Sequence, residues 1–375
     1  MNRRVALELC AGAAIATLGS RRQAYGAAAP GEVLKPDELP VTEASWYSKL
    51  DHLKVECGLC PRKCTVADAE RGTCGVRENR GGRYVTLAYG AACSVQVDPV
   101  EKKPFYHVLP GEKAFSFATA GCNVECKFCQ NWQISQFRPE QVRNYLLPPE
   151  VLAEVARRQG ASMTAATYSE PTVFWEYVRD AAKAARKLGV RPLVVSNGYI
   201  NPEPLKDVLP LLAAYKVDLK AMTEEFYEQQ VRGTLRPVLD AMTTIKKAGI
   251  WLEVVVLLIP GLNDSEAEVH QLAKWVKTNL GAGVPVHFTR FHPTYRLTNL
   301  PPTPVATLER AYQAARAEGL DFVYLGNVPG HPGENTVCPK CGKVLIRRVG
   351  YTVVENRLKD GACPDCGREI PGVWS

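Results

Sequence analysis

Between Ala118 and Trp132 the chain places Cys122, Cys126 and Cys129 in a Cys-x3-Cys-x2-Cys cluster, with the aromatic Phe128 just before the last cysteine. Three thiolates can hold three irons of a [4Fe–4S] cube. The fourth iron is then left without a protein ligand, and an open metal position is where a small molecule can bind and react. Spacing alone leaves two plainer readings open. The three cysteines could hold zinc with a distant fourth ligand, or they could be core thiols.

Two further groups of cysteines carry ligand spacing. Cys57, Cys60, Cys64 and Cys74 form Cys-x2-Cys-x3-Cys-x9-Cys, a four-ligand set in a polar, Gly-rich stretch that is expected to bury little and to need a metal to organise it. Zinc and a second iron–sulfur cluster are both consistent with that spacing. Near the C-terminus, Cys338-Pro-Lys-Cys341-Gly and Cys363-Pro-Asp-Cys366-Gly are two knuckles separated by 21 residues. Paired Cys-x2-Cys motifs at this distance read as a tetrahedral site, with zinc expected and a rubredoxin-like iron as the alternative. The glycine after each knuckle lets backbone amides turn toward the sulfurs. Residues 346–355 between them alternate as a hairpin would. Eleven of the 13 cysteines fall in these three groups, which a disulfide framework would not explain in a chain of 375 residues. Cys10 and Cys93 are left over as small apolar fillers.

From residue 114 strands alternate with helices. Strands are expected at 114–119, 164–168, 191–196, 217–219, 251–259, 286–290 and 321–325. Helices are expected at 150–158, from Pro171 to about Ala185, and at 204–213, 238–247, 266–279 and 305–317. Asn263 and Asp264 are available to cap the helix at 266. This alternation implies parallel βαβ units. The fold class is α/β, a partial (β/α)6 TIM-like barrel, with an open doubly wound sheet as its competitor. In such barrels, chemistry sits at the carboxyl ends of the strands. The polar candidates fall there: the cysteine cluster after the first strand, Ser169-Glu170-Pro171 after the second, and Asn197-Gly198 after the third. Asp218 and Lys220 end the fourth, Pro260-Gly261 follows the fifth and Phe291-His292-Pro293 the sixth. Each alone has a dull explanation, such as a helix N-terminal acid, a turn or a solvated end. Together they describe one polar mouth.

Composition narrows the class. Hydrophobic residues make up 46%, ordinary for a chain with a real core. The net charge of +7 is partly local, since residues 1–30 hold Arg3, Arg4, Arg21 and Arg22 against Glu8. No dense basic face argues for nucleic acid. The charged start, the short Ala-rich run and the small residues before Pro30 suit a signal peptide, and the paired arginine suits twin-arginine export. Otherwise the protein would be cytoplasmic. The domain boundaries expected are a signal segment at 1–30, an N-terminal four-cysteine region at 31–110 that begins with a linker at 31–45, a core at 111–326, and a C-terminal zinc-ribbon-like module at 327–375.

The chain resembles the radical S-adenosylmethionine (SAM) enzymes, in the branch that includes pyruvate formate-lyase activating enzyme, and more closely the radical SAM component of the AmmeMemoRadiSam system. The resemblance rests on Cys57–Cys64, Asp98–His107, Ala120–Trp132, Val217–Lys220 and Gly326–Asn335, and covers about residue 45 to the end. It implies that Cys122, Cys126 and Cys129 ligate a [4Fe–4S] cluster and that SAM chelates the open iron. It also implies that Phe128 lies beside the adenine and that Glu170 accepts the SAM ammonium, in a motif that reads Ser-Glu here rather than Gly-Glu. Asn197, Asp218, Lys220 and His292 would hold the ribose and carboxylate. The branch places an Asp before the Ser/Thr-Asn-Gly turn. Val195 stands there in this chain, which puts the associated cation site in question.

The activity implied is reductive cleavage of SAM to a 5′-deoxyadenosyl radical that abstracts hydrogen from an unidentified substrate. The electron would come from a low-potential donor. The substrate could be a protein that receives a glycyl radical, or a small molecule or peptide modified together with Memo-type and AMMECR-type partners. Two other classes compete. An iron–sulfur electron-transfer protein would need closed ligation at 122–129, and no fourth cysteine lies close by. A zinc-ribbon nucleic-acid binder would need interleaved basic and aromatic residues, which the chain lacks.

Overall fold

The computed structural model describes residues 29–375. The expected signal segment falls almost wholly outside them. Among the described residues no helix is long and apolar enough to cross a membrane. The chain divides into two compact units. One comprises the residues up to Asp98 with Lys113–Glu125 and Cys129–Leu212. The other comprises Pro99–Glu112, Cys126–Phe128 and Ala213–Ser375.

The first unit carries three parallel strands, β1 (Lys113–Ala118), β2 (Met163–Ala166) and β3 (Arg191–Ser196), paired in that order. Helix α1 (Pro149–Arg158) precedes β2, α2 (Trp175–Lys187) precedes β3 and α3 (Pro202–Val208) follows it. Helix α2 buries Trp175, Tyr177, Val178, Ala181, Ala182 and Ala185. Its last turn carries Arg186 and Lys187, where cations meet the negative end of the helix dipole. Pro171 opens a 3₁₀ turn over Pro171–Phe174 rather than the helix itself.

The Cys-rich N-terminal region of this unit is more ordered than its polarity suggests. Arg77–Arg80 and Arg83–Thr86 form a hairpin, and Val55–Cys57 pairs with both Tyr47–Lys49 and Thr65–Val66. Val55, Leu59, Val66, Val76, Tyr84 and Val85 are buried. The stretch 31–45 is not a linker. Val33–Leu34 pairs with Asn144–Tyr145, and Thr42–Glu43 pairs with Val85–Thr86.

The second unit continues the alternation with β4 (Ala214–Asp218), α4 (Arg236–Lys247), β5 (Trp251–Leu258), α5 (Glu266–Asn279), β6 (Val286–Arg290), α6 (Val305–Ala317) and β7 (Val323–Gly326). Strands β4, β5, β6 and β7 pair in parallel in that order. Strand β5 is apolar almost throughout, as a parallel strand covered on both faces should be. Helix α5 is capped by Ser265, whose hydroxyl accepts from the Glu268 amide, and not by Asn263 or Asp264. Asn263 instead donates to the Lys220 and Leu257 carbonyls at 2.7 and 2.9 Å, tying together the ends of β4 and β5.

The C-terminal segment of this unit is a three-stranded antiparallel sheet, Thr336–Val337, Val344–Val349 and Thr352–Asn356. It packs through Leu345, Ile346 and Ile370 on Tyr106, Phe322 and Tyr324. The fold is thus mixed α/β with a partial parallel sheet and a C-terminal four-cysteine cluster.

Candidate functional site

The cysteine loop begins where β1 ends. Gly121 has φ of +94°, and a Cβ there would lie 2.5 Å from Val76 Cγ1 and 2.8 Å from the Cys74 carbonyl oxygen. Only glycine fits, so the turn into Cys122 is pressed against the N-terminal Cys-rich loop. Asn197, after β3, donates through Nδ2 to Asn123 Oδ1 at 2.9 Å and to Cys122 Sγ at 3.9 Å. Asn131 donates to the carbonyl of Tyr168, a residue with φ of +68° just before Ser169-Glu170.

Glu170 is 2% exposed and accepts four hydrogen bonds. Oε1 takes the Thr172 amide at 3.0 Å, the Thr172 hydroxyl at 2.7 Å and the Ser196 hydroxyl at 2.6 Å. Oε2 takes the Asn197 amide at 2.8 Å. Burial raises its pKa, and these donors oppose the rise. Glu170 therefore braces the end of β2 to the end of β3 and retains acceptor capacity at Oε2.

In the second unit Cys126 and Phe128 are buried, and the Phe128 ring lies 5.8 Å from that of Phe226. The loop between them is pinned through Lys127, whose amide donates to Gln230 O at 3.0 Å and whose carbonyl accepts from Arg296 N at 2.9 Å. Gln230 belongs to a single π-helical turn, Tyr227–Val231, a rare form that recurs at functional sites. Asp218 pairs with Lys216 at 2.6 Å and Lys220 at 3.3 Å. Burial works against its charge, but the two lysines hold its carboxyl well below the usual range. Lys220 is held protonated by Asp218 and by nearby Cys126, against its burial. His292 is exposed on the loop after β6.

Within each unit, the structure thus assembles two groups of the expected residues. Asn197 meets Cys122 and Glu170, while Asp218 and Lys220 meet beside Cys126. Sequence reasoning missed Ser196, Lys216 and Tyr227, whose hydroxyl accepts from the Lys220 amide at 3.1 Å. Lys216 was within reach, because Lys216, Asp218 and Lys220 share one face at strand periodicity.

The two four-cysteine sets differ. At the C-terminus, Cys338, Cys341, Cys363 and Cys366 bring their sulfurs within 4.8 Å of one another. Cys338 Sγ lies 3.6 Å from Cys366 Sγ, and Cys341 Sγ 3.7 Å from Cys363 Sγ. A tetrahedral ion about 2.3 Å from each sulfur gives edges of about 3.8 Å, so these residues fit one metal ion. Gly342 and Gly367 both have positive φ, as the knuckles require. Burial raises the Cys338 thiol, but the amides of Cys341 and Lys340 pull it down to about 7. At the N-terminus, Cys57, Cys60, Cys64 and Cys74 line one cavity. Burial pushes the Cys60 thiol to about 12 and the Cys74 thiol to about 11. A bound metal is what would hold thiolates there.

Residues 117–276 match the model of the radical SAM superfamily. An uncharacterized protein of Methanocaldococcus jannaschii is 44% identical over 330 residues, covering 88% of this chain and 98% of that protein. The pyruvate formate-lyase 1-activating enzyme of Escherichia coli K12 is 23% identical, over 54% of this chain and 87% of that enzyme. The benzylsuccinate synthase activating enzyme of Thauera aromatica is 22% identical, over 48% of this chain and 59% of its own length. The residues at the ends of β1 to β4 lie inside the matched stretch, and the chain belongs to the radical SAM superfamily as an enzyme of that type.

Proposed function

We propose that the protein cleaves SAM reductively at a [4Fe–4S] cluster held by Cys122, Cys126 and Cys129. The superfamily implies both the cluster and SAM. The observation that carries the reading is the three-cysteine loop at the end of β1, inside the matched stretch, with Asn197 donating to Cys122 Sγ. When bound, the cluster would supply the electron that breaks the C5′–S bond of SAM and leaves a 5′-deoxyadenosyl radical. The chain's own residues bind and orient. Glu170 Oε2 accepts only one hydrogen bond and keeps a lone pair for an ammonium, and Phe128 offers an apolar ring for adenine. Asn197, Asp218 and Lys220 present fixed polar groups for ribose and carboxylate, and the exposed His292 is the most open of the set. No side chain is required as a general acid or base.

The substrate of this reading is a partner protein activated by hydrogen abstraction, as a glycyl-radical activase would do. The names of the Escherichia coli and Thauera relatives support it. A low-potential electron donor is the further partner, and Memo-type and AMMECR-type proteins are candidates for a joint modification instead. The electron-transfer reading gains no support from these relatives.

The test is anaerobic. The protein is reconstituted with iron and sulfide, reduced and given SAM, and 5′-deoxyadenosine is measured. Wild type should form it, while Cys126→Ala should form none above background and still retain its C-terminal metal. Cleavage by that variant would remove Cys126 from the cluster. Glu170→Ala should weaken SAM binding at least about tenfold, a loss of about 1.4 kcal/mol. Unchanged affinity would leave Glu170 as a brace alone.

A further inference from the structure

Two observations at the N-terminal cavity point to one ligand. The first concerns spacing. Cys57, Cys60, Cys64 and Cys74 all line the cavity. Yet among the described residues only the C-terminal four gather their sulfurs within 4.8 Å of one another. A single tetrahedral ion would draw four sulfurs to edges of about 3.8 Å. In a [4Fe–4S] cube each thiolate takes its own iron at a corner, so the ligands stand apart by the width of the cube. Four sulfurs that ring a space without closing on a point suit the cube.

The second concerns donors. Arg77 and Tyr84 are each 1% exposed and also line the cavity. Arg77 Nε has no hydrogen-bond partner, and Tyr84 Oη has none beyond the neighbouring Cys57 thiol. A buried donor left unmade costs about 1–3 kcal/mol, and two on one wall call for an acceptor in the space between. Arg77 is held in place there, since its terminal nitrogens pair with the buried Glu176 carboxylate. The sulfides and thiolates of an iron–sulfur cluster accept hydrogen bonds of this kind.

We infer that the cavity binds a second [4Fe–4S] cluster, ligated by Cys57, Cys60, Cys64 and Cys74, with Arg77 and Tyr84 donating to its sulfurs. All four irons have protein ligands, so this cluster has no open position for SAM. It sits against the loop of Cys122, whose preceding residue Gly121 abuts the Cys74 carbonyl. The inference stands apart from the proposed reaction, because it needs neither Cys122 nor SAM.

The test uses the Cys122→Ala/Cys126→Ala/Cys129→Ala variant of the full chain, reconstituted anaerobically with iron, sulfide and zinc supplied together. It should hold about four irons and four acid-labile sulfides per chain and give a paramagnetic signal on one-electron reduction. Wild type should hold about four irons more than Cys57→Ser/Cys60→Ser, which keeps the measurement decisive if the triple variant folds poorly. A second equivalent of zinc with no labile sulfide in the triple variant, or equal iron in wild type and in Cys57→Ser/Cys60→Ser, would overturn the inference. Tyr84→Phe in the triple variant should keep the iron and shift the reduction potential to more negative values, because a hydrogen bond to cluster sulfur favours the reduced state. An unmoved potential would mean that Tyr84 does not face the cluster, and would overturn that part of the assignment.

Discussion

The two four-cysteine regions begin from the same number of ligands and end as different structures. At the C-terminus the sulfurs converge to within 4.8 Å, each knuckle turned by a glycine. At the N-terminus they ring a cavity, and the strands around them bury their own apolar residues, Val55, Val66, Val76 and Val85 among them. Spacing accounts for the first. Two short Cys-x2-Cys turns leave each pair of thiols a turn apart, so two such turns make a tetrahedron. The x3 and x9 intervals at the N-terminus let strand pairing decide where the thiols lie. A metal bound at the C-terminus would therefore be part of what folds the module, while the N-terminal region has apolar packing of its own.

The largest effect should follow from breaking the C-terminal site. Structural zinc supplies about 10–16 kcal/mol in isolated finger peptides, and here a packed apolar cluster shares that role. Cys338→Ser/Cys363→Ser should cost several kcal/mol, lose one metal equivalent and expose residues 336–375 to limited proteolysis. Cys57→Ser/Cys60→Ser should lower the melting temperature less. Equal losses at the two sites would break the comparison.

Each region also has a buried ion pair beside it. Arg77 meets Glu176 at 1% and 2% side-chain exposure. Arg348 lies 3.6 Å from Glu101 with both side chains at 0%. Arg348 further donates to the Tyr106 carbonyl and the Thr336 hydroxyl. Replacing either arginine by Met leaves a buried carboxylate without its counter-charge and should cost about 3–5 kcal/mol in denaturant unfolding. A loss below about 1 kcal/mol would place the pair in surface-like surroundings.

The core was the most legible part of the sequence. The helix at 266–279 and the strands at 191–196 and 286–290 fall where periodicity put them, because long amphipathic or β-branched runs carry their own signal. The caps were less legible. Ser265, not Asn263, took the N-cap, since Asn263 was drawn to the carbonyls of Lys220 and Leu257 by contacts distant in sequence. The N-terminal region was expected to bury little, but its short strands, paired across irregular loops, bury Val55, Val66, Val76 and Val85. Glu170 was visible as a candidate, but its four donors come from Thr172, Ser196 and Asn197, which only the pairing of β2 with β3 brings together.

Acid should act on the C-terminal side before it acts through any surface pair. Glu253 accepts from the Tyr106 and His107 amides, from Trp251 Nε1 and from His287 Nε2 at 2.7 Å. His107 donates through Nδ1 to the Pro371 carbonyl at 2.7 Å and, neutral, accepts at Nε2 from the Tyr324 hydroxyl at 2.6 Å. Burial pushes His107 down to about 4, with Glu253 opposing. The unfolded chain takes up a proton that the folded one refuses, so stability falls as pH drops from about 6.5 toward 4, by at most roughly 3 kcal/mol. His107→Gln should flatten that slope in a series of melts, and an unchanged slope would assign it to other groups.

The smallest effect is expected at Arg357, whose Nη2 lies 3.1 and 3.0 Å from the two Asp365 oxygens, with the side chains 36% and 32% exposed. Asp365 stands between Cys363 and Cys366, with Oδ2 at 3.9 Å from Cys363 Sγ, so the pair could in principle steady the second knuckle. Two arguments weigh against that. One nitrogen reaching both oxygens forgoes the two-nitrogen fork that makes arginine pairs strong. The partial exposure also lets water and salt screen the charges. The knuckle is already fixed by backbone bonds, with the Cys363 amide donating to Arg368 O and the Gly367 amide to Cys363 O, both at 2.9 Å. Arg357→Ala should therefore cost under about 1 kcal/mol, less at high salt, and leave the metal content unchanged. Release of the metal in that variant would show that the C-terminal site depends on its surface as well as on its four sulfurs, and the contrast with the N-terminal cavity would narrow to sulfur spacing alone.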